Sequence, residues 1–466
     1  MAKNLAYKKK SNTTNPNFET LISKTLQLDD RLKTIVLLVG RRKEKTMRFG
    51  MLYELQLPKP WSPDSELRLV HDAIDQCVLG DKLGIDYAWS VEHHFLEEYS
   101  HCSASEVFLS AIAAKTQRIN IGFGIRQVIS NYNHPARTAE AVGMLDLVSN
   151  GRAQFGIGEG ATRLELGGFG IPARRKRDMC LEAAREISDM MVMEPYPGYE
   201  CEDWSLPCRN VLPKPIQKPH PPMWMACTNR DTIRVAAQNG LGVLAFSFLD
   251  PEEAKTWTET YYDTIMSEEC VPLGHAVNAN IAMVSAFSLH EDHDEASRRG
   301  EDGFRFFEYA IGALVTDDVL PGRSKLWDNF EARKEARKAG QNITDTAYGG
   351  GDVNPDRSMA RSPGIGTPSE FRNHMQGFAD AGVDQVIFLQ QGGKNQHEHI
   401  CESLETFNSE VYDEFAEGRE NRESEKAEKL APYIEAALAR RKTRPPLSDG
   451  EIDIVPASRP KTIAAG

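Results

Sequence analysis

The sequence predicts an α/β fold, a (β/α)8 TIM barrel, and three observations carry this prediction. From Arg48 onward, eight short β-like runs alternate with longer helical stretches, which is typical of a closed parallel barrel rather than of an open doubly wound sheet. Most of the runs are continuously apolar, as parallel strands covered on both faces are. The chain has 466 residues, of which 40% are hydrophobic, so it is long enough for one barrel with insertions.

Each strand and helix of the barrel is placed along the chain by these patterns. The predicted strands are Arg48–Tyr53, Asp86–Val91, Ile119–Gly124, Arg152–Gly158, Met223–Ala226, Leu241–Ser247, Asn280–Phe287 and Asp384–Leu389. The predicted helices are Pro63–Lys82, Ala104–Lys115, Arg137–Val148, Asp178–Met193, Asp231–Asn239, Pro251–Met266, Ser369–Ala381 and His399–Phe415. Three of these helices end in a glycine, at Gly84, Gly240 and Gly382, which suits a left-handed C-terminal cap.

The segments outside this pattern are expected to flank or interrupt the barrel, which takes up residues 47–418. Residues 1–46 hold eleven Lys/Arg against four Asp/Glu, and we expect a basic, disordered extension. Residues 318–366 are polar and contain three consecutive glycines, which predicts a long insertion, and a candidate lid, between strands seven and eight. Residues 419–466 are expected to form a charged helix, at Ser424–Arg441, and a proline-rich tail.

Composition argues against several classes of function. The net charge of -13 argues against nucleic-acid binding, which needs a basic face. No apolar run approaches the roughly 20 residues that span a bilayer. The eight cysteines form no CxxC pair, and the histidine pairs His290/His293 and His397/His399 lie in charged stretches, so we expect no metal site. The expectation is a cytoplasmic protein with reduced thiols.

Polar residues and glycines gather where the predicted strands end. In a barrel of this kind the C-terminal ends of the strands meet at one rim, where the chemistry is found. The strand ends hold Glu92, His93, His94, Gly124, Glu159, Gly160, Thr228, Asn229 and Ser247. Because these residues are far apart in the sequence and share one rim, they predict an active site.

His93 and His94 follow the second predicted strand. Adjacent residues on an extended chain point to opposite sides, so the two imidazoles do not readily ligate one metal. We expect His93 to enter the pocket as a neutral imidazole suited to proton transfer, and His94 to pack sideways or to form a hydrogen bond. From position alone, rim histidines without a catalytic role are an open alternative.

The glycine-rich turn Gly156–Gly160 follows the fourth predicted strand. Its glycines allow a flat ligand to approach the backbone, and the turn lacks the spacing of a dinucleotide fingerprint. Glu159 disfavours direct phosphate contact unless a cation such as Arg163 lies beside it.

Polar residues also open the helix after the fifth strand, where Thr228, Asn229 and Thr232 stand close together. Thr or Asn at this position routinely provides an N-cap. The same hydroxyls, together with free backbone N–H groups and the helix dipole, suit a phosphate. The residues alone leave these two interpretations equal.

Several motifs together resemble the bacterial-luciferase-like flavin monooxygenases. They are Met47–Met51 (MRFGM), Gly84–Phe95 (GIDYAWSVEHHF), His134–Glu140 (HPARTAE), Leu145–Arg152 (LDLVSNGR), Phe155–Gly158 (FGIG), Pro213–Pro222 (PKPIQKPHPP) and Gly366–Glu370 (GTPSE). The motifs follow the family's order over roughly residues 47–415 and are specific as a set, although each is short.

The resemblance implies a barrel, usually dimeric, that binds reduced FMN at the strand ends. It implies that His93 is the catalytic base or hydrogen-bonding group beside the flavin, and that a cis peptide or bulge at Gly124 lies against the flavin ring. It also favours the phosphate interpretation of the helix after strand five. The cofactor-binding residues expected on this basis are Gly124, Glu159, Gly160, Thr228, Asn229, Thr232 and Ser247. Luciferase has an arginine near the phosphate where this chain has Glu159, so that contact must be remade or lost.

The expected function is therefore FMN-dependent monooxygenation. Reduced FMN from a separate flavin reductase, together with molecular oxygen, would act on a small apolar organic substrate, with His93 as the catalytic group and Glu92 setting the pocket wall. Deazaflavin-dependent hydride transfer and non-catalytic flavin binding are the alternatives. Luminescence and an aldehyde substrate are not implied, because the segment before Gly366 differs from luciferase's mobile loop.

Overall fold

The structure is a computed structural model that describes residues 46–246, 251–341 and 362–456, and it contains a closed barrel of parallel strands. In chain order the barrel strands are β1 Arg48–Tyr53, β2 Tyr87–Ser90, β3 Asn120–Gln127, β4 Ala153–Gly158, β5 Met223–Cys227, β6 Gly242–Ala245, β7 Ile281–Ser285 and β8 Gln385–Gln390. Each strand pairs with its neighbour in the chain, and β8 closes the barrel against β1, with Arg48 opposite Gln385. The predicted (β/α)8 barrel is confirmed.

Helices of the described residues cover the outside of the barrel and close one of its two ends. They are α1 Ser65–Leu83, α2 Ser105–Lys115, α3 Pro135–Val148, α4 Arg163–Gly168, α5 Lys176–Val192, α6 Arg230–Gln238, α7 Pro251–Ile265, α8 His293–Thr316, α9 Leu326–Lys338, α10 Pro368–Asp380, α11 His397–Phe407 and α12 Arg419–Arg440. A π-helical turn, Asn408–Tyr412, continues α11. None of the described helices is both long and apolar enough to cross a membrane.

All eight predicted strands are present, and the largest difference in a boundary is at β3. This strand continues to Gln127 instead of ending at Gly124, because its pairing with β4 shifts register after Phe123 and resumes at Arg126. The helix α8 was not among the predicted helices. It begins after Asp292, whose side chain accepts a hydrogen bond from the backbone N of Glu295, within a charged run that resembles a solvated loop.

Part of the predicted insertion is described, and it is anchored to the loop after β2. Residues 318–341 contain α9, and residues 342–361 lie outside the described residues, as do residues 1–45 and 457–466. The buried carboxylate of Glu98 accepts hydrogen bonds from the backbone N of Leu326 (2.8 Å) and of Trp327 (3.1 Å) at the start of α9. The described half of the insertion is thus fixed beside the loop that carries His93, and its role as a lid stays a prediction.

The interior of the barrel is filled by large aromatic side chains. Trp89 of β2 and Trp224 of β5 pack edge to face, with ring centroids 5.4 Å apart, in the geometry that aromatic pairs prefer. Glycine at position 122 makes room for them, because a Cβ atom there would lie 2.2 Å from the Trp89 ring. The interior is a packed core rather than a channel, as in other barrels of this size.

Ion pairs close the end of the barrel where the strands begin. On α12, Arg419 lies 2.6 Å from Asp86 and Lys426 lies 2.8 Å from Asp384. A cavity of about 30 Å³ between these residues has room for about one water molecule. The charged helix spans Arg419–Arg440 in the structure, against Ser424–Arg441 in the prediction. This closed end leaves the opposite rim for a ligand.

Candidate active site

His93 lies at the C-terminal end of β2 with its imidazole between two buried carboxylates. The ring Nδ1 is 2.9 Å from Glu165 Oε1 on α4, and the ring Nε2 is 3.7 Å from Glu54 Oε2, just after β1. The His93 side chain is 15% exposed, against 3% for Glu54 and 0% for Glu165. The geometry therefore presents two negative charges to one titratable ring and leaves only a small part of that ring accessible to a ligand.

The two carboxylates determine the protonation state of His93. Burial alone would lower the pKa of the imidazole, but Glu165, Glu54 and Glu92 outweigh it and raise the pKa of His93 to about 9. The same contact acts on the partner: burial would raise the pKa of Glu165, and the His93 charge and hydrogen bonds lower it. The buried carboxylates therefore favour the protonated imidazole over the neutral one that the sequence predicts, and a protonated ring can donate a hydrogen bond from each of its nitrogens.

Glu92 and His94 belong to a second hydrogen-bond network, next to the ion pairs of His93. His94 Nε2 lies 3.1 Å from Glu92 Oε1, which also accepts a hydrogen bond of 2.7 Å from the amide of Asn133. The His94 ring stacks on Tyr132, with centroids 5.9 Å apart. His94 thus both packs sideways and forms a hydrogen bond, as the sequence predicts. Glu92 acts on the pKa of His93 through its charge.

The end of β3 brings backbone close to the same rim. The peptide bond between Gly124 and Ile125 is cis, at the position that the resemblance implied. A Cβ atom at Gly124 would lie 3.0 Å from the Cβ of Trp89, so a larger residue would crowd this wall.

Glu159 and Gly160, after β4, contact two cations of α5. Glu159 Oε2 lies 2.8 Å from Arg177 Nε and Oε1 lies 3.3 Å from Lys176 Nζ. Lys176 Nζ also donates to the carbonyl of Gly160 at 2.7 Å. Arg163, the example of such a cation that the sequence offers, donates instead to the C-terminal carbonyls of α8. The cations come from the next helix, which sequence spacing does not reveal.

The start of α6 forms a complete N-cap. Asn229 Oδ1 accepts from the backbone N of Thr232 at 3.0 Å, and Thr232 Oγ1 accepts from the backbone N of Thr228 at 3.1 Å and of Asn229 at 3.2 Å. The capping interpretation is therefore correct, and a phosphate role would come in addition to it. Arg177 lies near enough for its charge to act on the pKa of Cys227, the last residue of β5. Ser247, the remaining predicted cofactor contact, lies outside the described residues.

Glu54 and Glu165 were missed by sequence reasoning. Glu54 directly follows β1 and so meets the strand-end criterion that singled out the other rim residues. Glu165 lies on a short helix 72 positions after His93, and no spacing rule connects them. Across the described parts of the chain, no group of three His, Cys, Asp or Glu residues is arranged to hold a metal ion.

In a barrel of this kind the functional residues lie at the C-terminal ends of the strands, where His93, Glu54 and Glu165 meet. The family comparison gives the class of enzyme. The model of the luciferase-like monooxygenase family matches residues 47–385. The chain belongs to this family and is an enzyme of the flavin-dependent monooxygenase and oxidoreductase class.

Two relatives illustrate the range of the likeness. The chain is 28% identical over 203 residues to the oxygenase component of a flavin-dependent trigonelline monooxygenase from Acinetobacter baylyi, covering 42% of this chain and 53% of that protein. It therefore spans about half the length of this relative. It is 23% identical over 337 residues to the alkanal monooxygenase alpha chain of Photorhabdus luminescens, covering 72% of this chain and 88% of that one.

Solved structures share the fold. The oxygenating constituent of the 3,6-diketocamphane monooxygenase of Pseudomonas putida, in complex with FMN, has a TM-score of 0.60 at 18% identity and covers 79% of this chain and 98% of its own. A coenzyme F420-dependent tetrahydromethanopterin reductase of Methanopyrus kandleri has a TM-score of 0.55 at 20% identity, covering 79% and 99%. At these identities the likeness is one of fold alone.

Proposed function

We propose that the chain is the oxygenase component of an FMN-dependent monooxygenase. It would use reduced FMN, supplied by a separate flavin reductase, and molecular oxygen to oxidise a small, apolar organic substrate. The observation that carries this proposal is the position of His93 at the strand ends between the carboxylates of Glu165 and Glu54, because oxygen chemistry on a reduced flavin needs a fixed proton donor in a site with little water.

The residues at the rim fit a flavin. Buried polar atoms of Glu54 (Oε2), Gln127 (Oε1) and Tyr132 (OH) have no hydrogen-bond partner among the described residues. Such atoms are costly in a protein interior unless a ligand or water satisfies them. A flavin ring offers both donors and acceptors along one edge, and the backbone at Gly124 supplies a flat wall without a side chain. These features support a ring bound across the strand ends.

The start of α6 suits the FMN phosphate. Thr228, Asn229 and Thr232 lie where the positive end of the helix dipole favours an anion. Lys176 and Arg177 would supply positive charge, and Glu159 would hold these two cations rather than contact the phosphate itself. The roles of Gly160 and Ser247 in this contact belong to the same proposal.

The remaining residues would orient and protect the reacting atoms. Bound reduced FMN supplies the electrons that activate oxygen. His93 Nε2 donates a hydrogen bond toward the reacting oxygen, while Glu165 holds Nδ1 and fixes the orientation of the ring. Tyr99 packs 5.6 Å from His93 and 5.7 Å from Phe307, and this aromatic lining excludes water and favours an apolar substrate.

Two exposed helices support the proposal of a homodimer. Val107 on α2 and Met144, Leu147 and Val148 on α3 are large apolar residues with exposures of 68%, 51%, 41% and 44%. Clustered apolar side chains on one face commonly mark an interface. Sedimentation of the full chain and of Met144→Glu tests this, since the variant should sediment as a monomer.

Anaerobic titration of the full chain tests the cofactor, with tryptophan fluorescence as the readout. Reduced FMN should bind about tenfold more tightly than reduced riboflavin, which lacks the phosphate, and more tightly than reduced coenzyme F420. Tighter binding of F420 would favour the hydride-transfer alternative, although a protonated His93 is poorly suited to take a proton from an alcohol. A chain that binds neither cofactor would overturn the proposal.

A further inference from the structure

We propose that Glu54 is the proton-exchange partner of His93, holding the proton on Nε2 and replacing it after each transfer. This inference rests on the proposed function, which places His93 at the reacting centre. Glu54 acts through His93 and is therefore a positioning residue. Glu54 is then the proton source for the reaction, although no motif of the sequence identified it.

Backbone contacts hold Glu54 firmly in its position. Its carbonyl accepts a hydrogen bond of 2.7 Å from Ser100 Oγ, and the carbonyl of Leu55 accepts one of 3.0 Å from the backbone N of His101. Leu55 has a φ of 54°, a left-handed conformation that is uncommon outside glycine and that clusters at functional sites. The loop after β2, which carries His93, thus also fixes the residue opposite it.

The carboxylate of Glu54 is only half satisfied by the protein. Oε1 accepts a hydrogen bond of 3.3 Å from the hydroxyl of Tyr99, whereas Oε2 is buried and has no hydrogen-bond partner among residues 46–246, 251–341 and 362–456. His93 Nε2 lies 3.7 Å from Oε2, which is an ion-pair distance but too long for a hydrogen bond. A buried oxygen left in this way calls for a functional reason.

Glu165 and Glu54 differ in how tightly each is held. Glu165 Oε1 contacts His93 Nδ1 at 2.9 Å and accepts from the backbone N of His94 at 3.1 Å, and Oε2 accepts from Thr162 at 2.8 Å. These bonds keep Glu165 ionised, as its lowered pKa indicates. Glu54 has one long hydrogen bond, and burial raises its pKa to about 7. Glu165 is therefore the permanent counter-ion, and Glu54 is free to gain and lose a proton.

The exchange balances within the pair. When the Nε2–H bond of His93 breaks and the proton passes to the reacting oxygen, the ring becomes neutral and no longer stabilises the Glu54 carboxylate. Glu54 then takes a proton from water that enters the site when the product leaves. A movement of its side chain brings Oε2 from 3.7 Å to within hydrogen-bond distance of Nε2, and transfer of the proton restores the imidazolium and the carboxylate. No oxidant or reductant takes part in this step. The titratable groups that face the pair are Glu165, Glu92 and Tyr99.

The test follows the titration of His93 by NMR in the full chain without flavin. The chain is labelled with ¹³C at the Cε1 atom of its histidines, and the His93 signal is assigned as the one that is missing in His93→Gln. In the native chain the His93 signal should titrate near pH 9, with a smaller inflection near pH 7 as Glu54 ionises. In Glu54→Gln the inflection should vanish and the midpoint should fall by about one pH unit. Glu66→Gln is the matched control, because Glu66 lies 2.8 Å from the ring of His101 on the surface.

The control variant should leave the titration of His93 unaltered. An unchanged midpoint of the His93 titration in Glu54→Gln would overturn the inference. A titration of the native chain that lacks the inflection near pH 7 would also overturn it, and this second measurement does not depend on the folding of a variant. Because these spectra are recorded without flavin, they are independent of the FMN titration. If the native chain binds FMN and the His93 midpoint is unchanged in Glu54→Gln, only the proposed role of Glu54 is contradicted. If the midpoint shifts but the native chain does not bind FMN, the proposed function is contradicted.

Discussion

At the scale of single residues, the protonation state of His93 depends on its contacts with Glu165 and Glu54. These contacts cannot be recognised from the sequence alone. The position of His93 and His94 after a predicted strand was enough to select the pair, and the family resemblance selected His93 over His94. The contact between His93 and Glu165 was not predicted, because Glu165 is 72 positions away in the chain and only the fold brings it to the ring. Glu54 could have been found from its place after β1, whereas the unsatisfied state of its carboxylate required the structure.

The ion pair between His93 and Glu165 makes stability depend on pH. The pKa of His93 is about 9 in the folded chain, against the ordinary value of 6.5 that applies to the unfolded chain. The ion pair therefore stabilises the fold fully below about pH 6.5, and this stabilisation is lost as the pH rises through 9. Glu165 stays ionised below its ordinary pKa of 4.5 because that pKa is lowered. The stabilising window therefore runs from about pH 4.5 to 9.

Glu165→Gln should lower the free energy of unfolding by about 2 kcal/mol at pH 6, the value of a hydrogen bond to a charged group. At pH 10 the native chain has already lost the proton on His93, so the difference should shrink. Urea unfolding at both pH values measures this, with the exposed Glu66→Gln as control. An equal loss at both pH values would show that the stabilisation is not ionic.

At the scale of elements, the strands were predictable because each is a continuous apolar run bounded by polar residues or glycine. The helices α8 and α9 were not, because their charged faces outweigh the apolar positions that pack against the rest of the molecule. The buried residues of α8 include Phe304, Phe306 and Phe307, all beyond its charged first turns. Local pattern therefore located the barrel and α10 but failed for α8 and α9, which lie between β7 and α10.

The start of α6 offers a test of whether a cap also binds the phosphate. Asn229→Ala removes the side-chain cap and should cost about 1 kcal/mol of stability. It should also weaken the binding of reduced FMN by about tenfold without affecting riboflavin. Thr367→Ala is the matched control, since Thr367 forms the same capping box at α10, and it should lower stability alone. Equal affinity of the two variants for reduced FMN would contradict the proposal that the start of α6 binds the phosphate.

At the scale of the whole molecule, the two ends of the barrel have different tasks. The end where the strands begin is closed by ion pairs to α12, and the opposite rim gathers His93, Glu54 and Glu165 from segments that are distant in the chain. The alternation of strands and helices was sufficient to predict this arrangement, because the topology alone brings all strand ends to one rim. What the sequence could not supply is the set of contacts across that rim.

The most direct test of His93 as the reacting centre is the reoxidation of bound reduced FMN after mixing with oxygen, followed by the absorbance of oxidised flavin. His93→Gln and His94→Gln are compared with the native chain, after flavin binding has been established for each. The account predicts that His93→Gln changes the rate at which oxidised FMN returns by at least about tenfold, whereas His94→Gln stays close to the native chain. Equal rates in the native chain and His93→Gln, or the larger change in His94→Gln, would contradict it.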